Sequence, residues 1–534
     1  MRIIFVCIIF LISSCKKGND GPGTSPQPPT PVLNSNVSSV TLGALDGSKD
    51  SINITSNINW TISLSPTTAS WATLSSAAGS NNAKVYIIAS QTNTTGSQRS
   101  ASIILTPVGT TALQAINISL VQNFQAPQTG SFLLQWQKAL GGTEIDNANS
   151  VAATSDGGCI IAGKASSNDG DITGFHGGGD FWIIKLNSNG AIEWQKALGG
   201  TSSDEAKSII ASSDGGYVVV GVTSSIDGNV VPGSHGTISD AWVVKLNSTG
   251  NIIWQKVFGG NLGDQAFSVT ECSNGDLLIA GLSLSTDGNF AGNHGQQDMW
   301  VMRLTNTGNL IWQKLLGGSS ADQALSIIAT SDGGSIIAGI SRSNDGDVSG
   351  NHGDADCWIV KLNTTGDITW QKSFGGSGFE YANSIAVTSD GGFIIAGPTE
   401  SNNGDISGYH GGSDAWVFKI TSAGNIVWQK SLGGGTNEIA KSIAITPSGD
   451  LVVAGLQGID CCNGFNCWIT KLKSDGNIVE QKILGGSEAD WFESVTAVAN
   501  GEFIAVGYTA SSNGDVSGYH GGYYDGWAVK FKFQ

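Results

Sequence analysis

A repeat of about 58 residues constrains the fold of this chain more than any other feature of its sequence. Its marker is Trp-Gln-Lys, with the tryptophan at positions 136, 194, 254, 312, 370 and 428, so the spacing is 58 residues with one step of 60. A seventh copy ends in Glu-Gln-Lys and has Glu480 in place of the tryptophan. Repeated segments of this length bury their apolar faces on neighbouring copies, which predicts an array of similar units.

Within one copy the apolar residues alternate with period two, which predicts β-strands. Segments 384–388 and 393–397 flank one turn, and segments 415–420 and 425–430 flank a second. Four short strands in about 58 residues is the size of one β-propeller blade. Because the first turn occurs seven times, we predict a seven-bladed β-propeller over residues 131–534.

The two ends of the repeat region are complementary. The chain enters with only a fourth strand, at 132–138, and leaves after only a third strand, at 526–533. Pairing these segments would complete the seventh blade and remove the open edges that a linear β-array exposes. We therefore predict a propeller closed by its N- and C-terminal strands.

Composition places the chain in the all-β class and limits its partners. Of 534 residues, 75 are glycine and only 13% are charged, which suits a turn-rich β-protein. The net charge of −17 repels phosphate backbones, so we expect no nucleic acid partner. An acidic surface suits neutral sugars, cations or basic protein surfaces, or serves solubility alone. We expect a monomer.

The first 31 residues have the pattern of an exported lipoprotein. Arg2 precedes an apolar run at 3–12 that is too short to span a membrane. The Ile-Ser-Ser-Cys sequence ending at Cys15 resembles the lipobox of bacterial lipoproteins, which implies a signal peptide at 1–14 and lipidation of Cys15. Residues 15–31 are rich in proline and glycine and form a tether. We expect an outer-membrane lipoprotein on the periplasmic side or the cell surface.

Residues 32–123 do not match the repeat. Their strand-like segments at 56–63, 70–74, 99–103 and 116–122, with Gly-Ser-Asn-Asn at 79–82, resemble in sequence and order the BACON domain of Bacteroidetes carbohydrate-active proteins. The resemblance implies an immunoglobulin-like β-sandwich that acts as a spacer or an accessory sugar binder. Trp60 and Trp71 would be either core residues or sugar platforms. Residues 124–130 would link this domain to the propeller.

All six histidines occupy one repeat position, between the second and third strands, followed by an aspartate and a tryptophan: His176, His235, His294, His352, His410 and His520. An Asn/Asp-rich turn precedes each one. Asp171 and Asp180, or Asp347 and Asp356, could contribute to a loop-bound Ca²⁺. Alternatively, these His and Asp side chains hydrogen-bond the backbone of a long loop. Six copies do not suit a catalytic histidine.

An acidic residue precedes the first-strand serine by four positions in every copy: Asp146, Asp204, Asp264, Asp322, Glu380, Glu438 and Asp490. These carboxylates could form a ring that holds a cation or an amine, or they could bind backbone amides. The repeated tryptophans of the third and fourth strands are predicted to pack between blades.

Two copies break the symmetry. The sixth replaces the histidine loop with a segment containing Cys461, Cys462 and Cys467, which could form a disulfide in an exported protein or, less simply, bind zinc. The seventh adds Trp491, Tyr523 and Tyr524. Exposed aromatic residues near a propeller face could stack on sugar rings or fill space beside the shortened sixth copy.

No nucleophile elbow, phosphate loop, zinc-ligand helix or dinucleotide fingerprint occurs in the sequence. We therefore predict a lipid-anchored, non-catalytic envelope protein that recognises carbohydrate through the propeller, without catalytic residues. The alternatives are a propeller glycosidase or polysaccharide lyase, and a structural or adhesive protein that binds other envelope proteins.

Overall fold

The computed structural model describes residues 29–43, 48–67, 69–91, 93, 98–123, 132–231, 238–458 and 464–533. The chain divides into two compact units, Met1–Gln128 and Thr129–Gln534. Both are built of β-strands, which confirms the all-β class, and the helical segments described are two 3-10 turns, Gly288–Phe290 and Ala499–Gly501. Among these residues there is no helix of the length and apolarity needed to cross a membrane. The predicted signal peptide, Cys15 and the linker 124–130 lie outside the described residues.

The first unit consists of two sheets that share one core. Its strands are β1 Leu33–Ser35, β2 Ser39–Leu42, β3 Lys49–Ser56, β4 Asn59–Ser65, β5 Ala72–Leu74, β6 Ala78–Ser80, β7 Ala83–Ala89, β8 Arg99–Val108 and β9 Ile116–Gln122. The sheet orders are β1-β3-β7-β5 and β2-β9-β8-β4-β6. Period-two burial along β3 and β4 directs Ile52 and Ile62 into the core, as the alternation of strand side chains requires.

Both tryptophans of the first unit belong to this core. Trp60 is 1% exposed and Trp71 is 8% exposed. The indole N–H of Trp60 donates to the carbonyl of Asn81 at 3.0 Å, so its polar atom is satisfied inside the unit. Neither ring is available as a sugar platform.

The described part of the second unit contains seven four-stranded antiparallel sheets, each with its strands in spatial order. Sheet 1 is β11 Asn147–Ala153, β12 Cys159–Ala165, β13 Asp180–Leu186 and β14 Ile192–Leu198; sheet 2 is β15 Asp204–Ala211, β16 Tyr217–Thr223, β17 Asp240–Leu246 and β18 Ile252–Phe258. Sheet 3 is β19 Asp264–Glu271, β20 Leu277–Ser283, β21 Asp298–Leu304 and β22 Leu310–Leu316; sheet 4 is β23 Asp322–Ala329, β24 Ser335–Ser341, β25 Asp356–Leu362 and β26 Ile368–Phe374. Sheet 5 is β27 Ser384–Val387, β28 Phe393–Thr399, β29 Asp414–Ile420 and β30 Ile426–Leu432; sheet 6 is β31 Glu438–Ile445, β32 Leu451–Gly458, β33 Phe465–Leu472 and β34 Ile478–Leu484. Sheet 7 is β35 Asp490–Ala497, β36 Glu502–Thr509 and β37 Asp525–Phe533, with β10 Phe132–Leu140 as its fourth strand.

Sheet 7 is completed from both ends of the unit. Strand β10 pairs antiparallel with β37, from Phe132 opposite Phe533 to Leu140 opposite Gly526. This is the strand pairing that the sequence predicts. It occupies the edge that β37 would otherwise expose to another chain.

The first strands of the sheets contact one another in a closed cycle, because β11 contacts β15 and also β35. In six of the seven first strands described, the repeated serine links its strand to the first strand of a neighbouring sheet. Its hydroxyl accepts a backbone N–H from the next sheet, as between Ser150 and Ile209 at 3.2 Å. Ser494 and Val151 make the same bond at 3.3 Å between sheets 7 and 1. Repeated four-stranded sheets arranged in this way are propeller-like, and the first strands lie on the inside.

The third-strand tryptophans are core residues: Trp182, Trp242, Trp300, Trp358, Trp416, Trp468 and Trp527 are each at most 3% exposed. In most sheets the buried indole N–H donates to the glutamine of the Trp-Gln-Lys motif, as from Trp242 to Gln255 at 2.8 Å. These rings pack in the cores between sheets.

The fourth-strand tryptophans clamp each sheet to the next. The indole N–H of Trp254 donates to the carbonyl of Asn306, in the last turn of sheet 3, at 3.0 Å. A Cβ added to Gly308 in that turn would lie 3.0 Å from the Trp254 ring. The turn glycine is therefore required by its positive φ of 79° and by the close approach of the indole.

Closure explains why Glu480 replaces the tryptophan in sheet 6. Sheet 7 has no turn between its third and fourth strands, because these are the two ends of the unit, so no turn glycine faces sheet 6. Glu480 is instead 4% exposed and accepts the backbone N–H of Phe132, the first residue of β10, at 2.9 Å. The Phe132 ring stacks on Phe531 at 5.2 Å. Glu480 thus serves the junction of the termini.

We expect Glu480→Ala to lower the free energy of unfolding by about 1–3 kcal/mol, because it leaves the N–H of Phe132 without an acceptor. Glu480→Gln retains a carbonyl acceptor and should cost less. Urea denaturation of both variants, followed by tryptophan fluorescence, checks the difference. Equal losses would mean that this hydrogen bond does not stabilise the closure.

Candidate functional site

The seven repeated acidic residues are buried and hold backbone. Each is at most 1% exposed. Asp146 accepts the N–H of Gly142 at 2.8 Å, the N–H of Ser166 at 2.8 Å and the hydroxyl of Ser167 at 2.6 Å. Its counterparts make the same kind of bonds, so these carboxylates do not form an exposed ring for a cation or amine. Of the two predicted roles, binding of backbone amides is the one that the structure shows.

The residue after each buried acid is partly exposed, because successive strand side chains point to opposite sides. We call these seven residues the inner ring: Asn147, Glu205, Gln265, Gln323, Tyr381, Ile439 and Trp491. Sheets 1 to 4 contribute amides and one carboxylate. Sheets 5 to 7 contribute two aromatic rings and an isoleucine. The inner ring is therefore divided into a polar arc and an apolar arc, each made by consecutive sheets.

An aromatic cluster forms the end of the apolar arc. The Trp491 indole stacks on Tyr508 at 4.7 Å and meets the edge of Tyr524 at 5.3 Å. The structure thus brings together two of the three aromatic residues predicted to bind ligand. Tyr523 is 71% exposed and has no ring contact within the described residues.

Tyr508 is a member of this cluster that sequence reasoning missed. It lies directly across from Trp491 in the pairing of β35 with β36. The equivalent residues of the other copies are not aromatic: Lys164, Val222, Leu282, Ile340, Pro398 and Leu456. Aligning the seven copies would have singled out Tyr508.

Phe492, the neighbour of Trp491, has a different role. It is 0% exposed and its ring stacks on Trp527 at 5.5 Å. The other copies have alanine at this position, as at Ala148. The two added aromatic residues therefore have different roles: Phe492 fills space in the core, and Trp491 is partly exposed in the aromatic cluster.

Polar side chains of sheets 6 and 7 support the indole. The Trp491 N–H donates to Glu493 Oε1 at 2.9 Å. Glu493 in turn pairs with Lys441 of sheet 6 at 3.3 Å between Oε2 and Nζ. The lysine and glutamate therefore fix the orientation of the Trp491 ring.

The network continues into sheets 1 and 2. The Tyr508 hydroxyl donates to Asn149 Oδ1 at 2.6 Å, and Asn149 Nδ2 donates to Glu205 Oε1 at 2.9 Å. Glu205 pairs with Lys207 at 2.6 Å. Four consecutive sheets thus carry linked side chains that hold the polar and apolar arcs in fixed positions.

Two phenols of this region, Tyr508 and Tyr381, have a raised pKa. Burial raises the pKa of Tyr508, and the charges of Glu493 and Glu205 raise it further. Burial also raises the pKa of Tyr381, again with a contribution from Glu493, although the two residues belong to sheets 5 and 7. Both phenols therefore keep their protons and can donate hydrogen bonds at any physiological pH.

The described histidines pair with the aspartates of their own loops. Both the backbone N–H and Nδ1 of His176 lie 2.8 Å from Asp180 Oδ2. The same contacts occur at four other loops: His294 with Asp298, His352 with Asp356, His410 with Asp414, and His520 with Asp525. His235 lies outside the described residues. This arrangement matches the second of the two predicted roles, an ordered loop.

The predicted calcium ligands have other partners. Asp180 and Asp356 are engaged by histidine, as described above. Asp171 lies 4.0 Å from Lys138 and 3.9 Å from His520, and Asp347 accepts the N–H of Gly317 at 3.3 Å. Across the described ranges, no three His, Cys, Asp or Glu side chains are grouped so as to hold a metal ion. Each predicted ligand therefore has a partner in its own loop or in a neighbouring segment.

The cysteines provide no disulfide through Cys467. Cys467 is a free thiol in β33 with 0% exposure, and burial raises its pKa well above the usual value. Its strand position directs the side chain into the core between sheets 6 and 7, which corrects the prediction that it takes part in a disulfide. Cys461 and Cys462 lie outside the described residues, so their pairing stays a prediction.

Acidic side chains of adjacent sheets approach each other around a repeated glycine, at the closure as well as between other sheets. Asp525 Oδ1 and Asp146 Oδ2 lie 2.9 and 3.0 Å from the point that a Cβ on Gly141 would occupy. Asp525 Oδ1 has no hydrogen-bond partner among the described residues. Burial raises the pKa of Asp525 to about 6, the charge of Asp146 adds to the rise, and the contact with His520 opposes it.

Because the folded pKa of Asp525 lies above its unfolded value of about 4, its protonation stabilises the fold in acid. This contribution is fully present below about pH 4 and is lost as the pH rises through about 6. Burial also raises the pKa of the equivalent Asp180, Asp298, Asp356 and Asp414, so we expect Asp525→Asn, which resembles the protonated acid, to reduce but not abolish the dependence of unfolding free energy on pH between pH 4.5 and 7.5. Urea titrations at several pH values check this.

Asp390→Asn is the matched control, because Lys419 and Thr388 lower the pKa of Asp390 to about 2, below this window. It should shift stability by the same amount at every pH tested. A wild-type slope retained in Asp525→Asn would show that other groups cause the pH dependence.

No protein-family model matches the chain. Regulatory protein FlaEY of Caulobacter vibrioides is 24% identical to this chain over 227 residues. The match covers 38% of this chain and 23% of that relative's length. Sqt1 from Chaetomium thermophilum aligns with 76% of this chain and 100% of its own at 10% identity and a TM-score of 0.41. A puromycin hydrolase aligns with 71% of this chain and 53% of its own, at 11% identity and a TM-score of 0.42. A Bacteroides ovatus GH5 xyloglucanase aligns with 24% of this chain and 30% of its own, at 18% identity and a TM-score of 0.16. None of these similarities assigns a function to the chain.

Proposed function

We propose that this protein is a lipid-anchored, non-catalytic carbohydrate-binding protein of the cell envelope. In this proposal Cys15 carries the anchor, and the first unit is an immunoglobulin-like spacer of the BACON type. The seven sheets are the blades of a closed propeller, and the inner ring is the sugar-binding site. The N-terminal sequence pattern supports the export and the anchor.

The division of the inner ring is the observation that carries the binding role. A sugar ring presents C–H groups on its face and hydroxyl groups at its edge. Trp491 and Tyr381 are partly exposed aromatic residues that suit the face, and Asn147, Gln265 and Gln323 carry amides that suit the hydroxyl groups. The Gln323 amide also donates to Gln297 at 2.7 Å, and the Asn147 carbonyl oxygen is buried, so a sugar would have to draw on these groups within their present contacts. An apolar surface opposite a few convergent polar groups is the usual composition of a small-molecule site.

Binding without hydrolysis is favoured by the state of the two nearby acids. A glycosidase needs one carboxylic acid to protonate the leaving group and one carboxylate to act as base or nucleophile. Glu205 and Glu493 are each paired with a lysine and each accept a side-chain N–H, from Asn149 and Trp491 respectively, so both carboxyl groups are already engaged within the protein. The repeated acids bind backbone. This arrangement suits recognition.

We expect Trp491→Ala to weaken binding of neutral oligosaccharides by about tenfold, since it removes a stacking ring worth about 1 kcal/mol or more. Isothermal titration calorimetry of the full-length protein, with hits from a glycan array, measures the change. Tyr523→Ala is the control, because Tyr523 is exposed but outside the cluster. If Tyr523→Ala abolishes binding and Trp491→Ala does not, the site lies in the loop of sheet 7.

A further inference from the structure

We call the inner ring together with the residue two positions after each of its members the inner wall. This wall carries four charged side chains, and all of them are paired. Glu205 pairs with Lys207, and both belong to sheet 2. Glu493 of sheet 7 pairs with Lys441 of sheet 6. Their side chains are between 22% and 28% exposed. At this depth the charges are partly desolvated, so each depends on its partner more than a surface charge would.

The remaining wall positions are uncharged. The residues two positions after the inner-ring residues in the sequence are also partly exposed: Asn149, Lys207, Phe267, Leu325, Asn383, Lys441 and Glu493. Together with the inner ring, these described positions therefore contain two acids and two bases. The wall is neutral, although the chain has a net charge of −17.

We infer that the inner ring selects an uncharged glycan and discriminates against chains of uronic acids or sulfated sugars, with Glu205 as a specificity-determining residue. This inference rests on the proposed sugar-binding function. It names the substrate class of that same site.

Two physical effects disfavour an anionic sugar. A ligand carboxylate that paired with Lys207 would displace Glu205 and leave a half-buried carboxylate without its cation. The net negative charge of the protein also repels an approaching polyanion, most strongly at low ionic strength. A neutral sugar breaks no ion pair. Its hydroxyl groups can add hydrogen bonds to the amides and to free lone pairs of Glu205.

The geometry gives Glu205 a central position in this selection. It belongs to the polar arc, accepts the Asn149 amide at 2.9 Å and balances Lys207. Asn149 in turn accepts the Tyr508 hydroxyl. Removing the Glu205 charge while retaining its shape would leave Lys207 as an unpaired cation beside the bound sugar.

The test compares a neutral oligosaccharide that binds the full-length protein with the same oligosaccharide oxidised at C6 to uronic acids. Wild type should bind the neutral form about tenfold tighter at low salt. Glu205→Gln should reduce this ratio to about threefold or less, because the freed Lys207 attracts the carboxylates. Lys207→Met should not reduce it, since it leaves Glu205 to repel them.

Glu193→Gln is the matched control. Glu193 pairs with Lys185 at 3.2 Å on a fourth strand, away from the inner ring, and the same substitution there should leave the ratio unchanged. Thermal denaturation confirms that the variants are folded. Equal or tighter wild-type binding of the oxidised form, or an unchanged ratio in Glu205→Gln, would overturn the inference while keeping sugar binding. Failure of wild type to bind any neutral or oxidised oligosaccharide would instead reject the proposed function itself.

Discussion

The pairing of β10 with β37 is the interaction on which the second unit depends. It places the two ends of the unit in one sheet, so that sheet 7 can pack on sheets 6 and 1 and close the cycle of first strands. Without this pairing, β37 would be an open edge, and Trp527 would lose Gln137 as the acceptor of its indole N–H. The same closure removes the turn that a fourth-strand tryptophan of sheet 6 would clamp, which is why the buried Glu480 stands there.

Residues that recur in every copy direct their polar atoms to their own or the adjacent sheet. The acids bind loop amides, the serines link first strands, and the histidines pair with loop aspartates. One oxygen of the third-strand aspartate is left without a hydrogen-bond partner, at Asp525 and equally at Asp180, Asp298, Asp356 and Asp414 among the described residues. A repeated side chain already engaged in this way has little capacity left for a ligand. The inner ring differs because its positions are structurally equivalent but chemically different.

Much of the fold could be predicted because strand alternation and turn residues are local signals. The number of turns, the phase of the two ends and the packing role of the tryptophans all follow from such signals. The site could not be predicted as well. Whether a residue such as Asp146 or Asn147 faces backbone or the inside of the cycle depends on a one-residue difference along the strand, which only register decides. Likewise Tyr508 joins Trp491 through cross-strand pairing, a contact that neither segment signals alone.

The position of the aromatic cluster follows from the same closure. Sheet 7 is the one sheet whose fourth strand comes from the other end of the unit, and its core contains rings at Phe492 and Phe531, where the other sheets have alanine and leucine or isoleucine. A core rebuilt with larger residues displaces the small residues of the consensus copy, and Trp491 with Tyr508 lies directly beside it. Asymmetry introduced to join the chain ends therefore also supplied a wall unlike the others. An asymmetric ligand needs such a wall, which a strict sevenfold repeat would not provide.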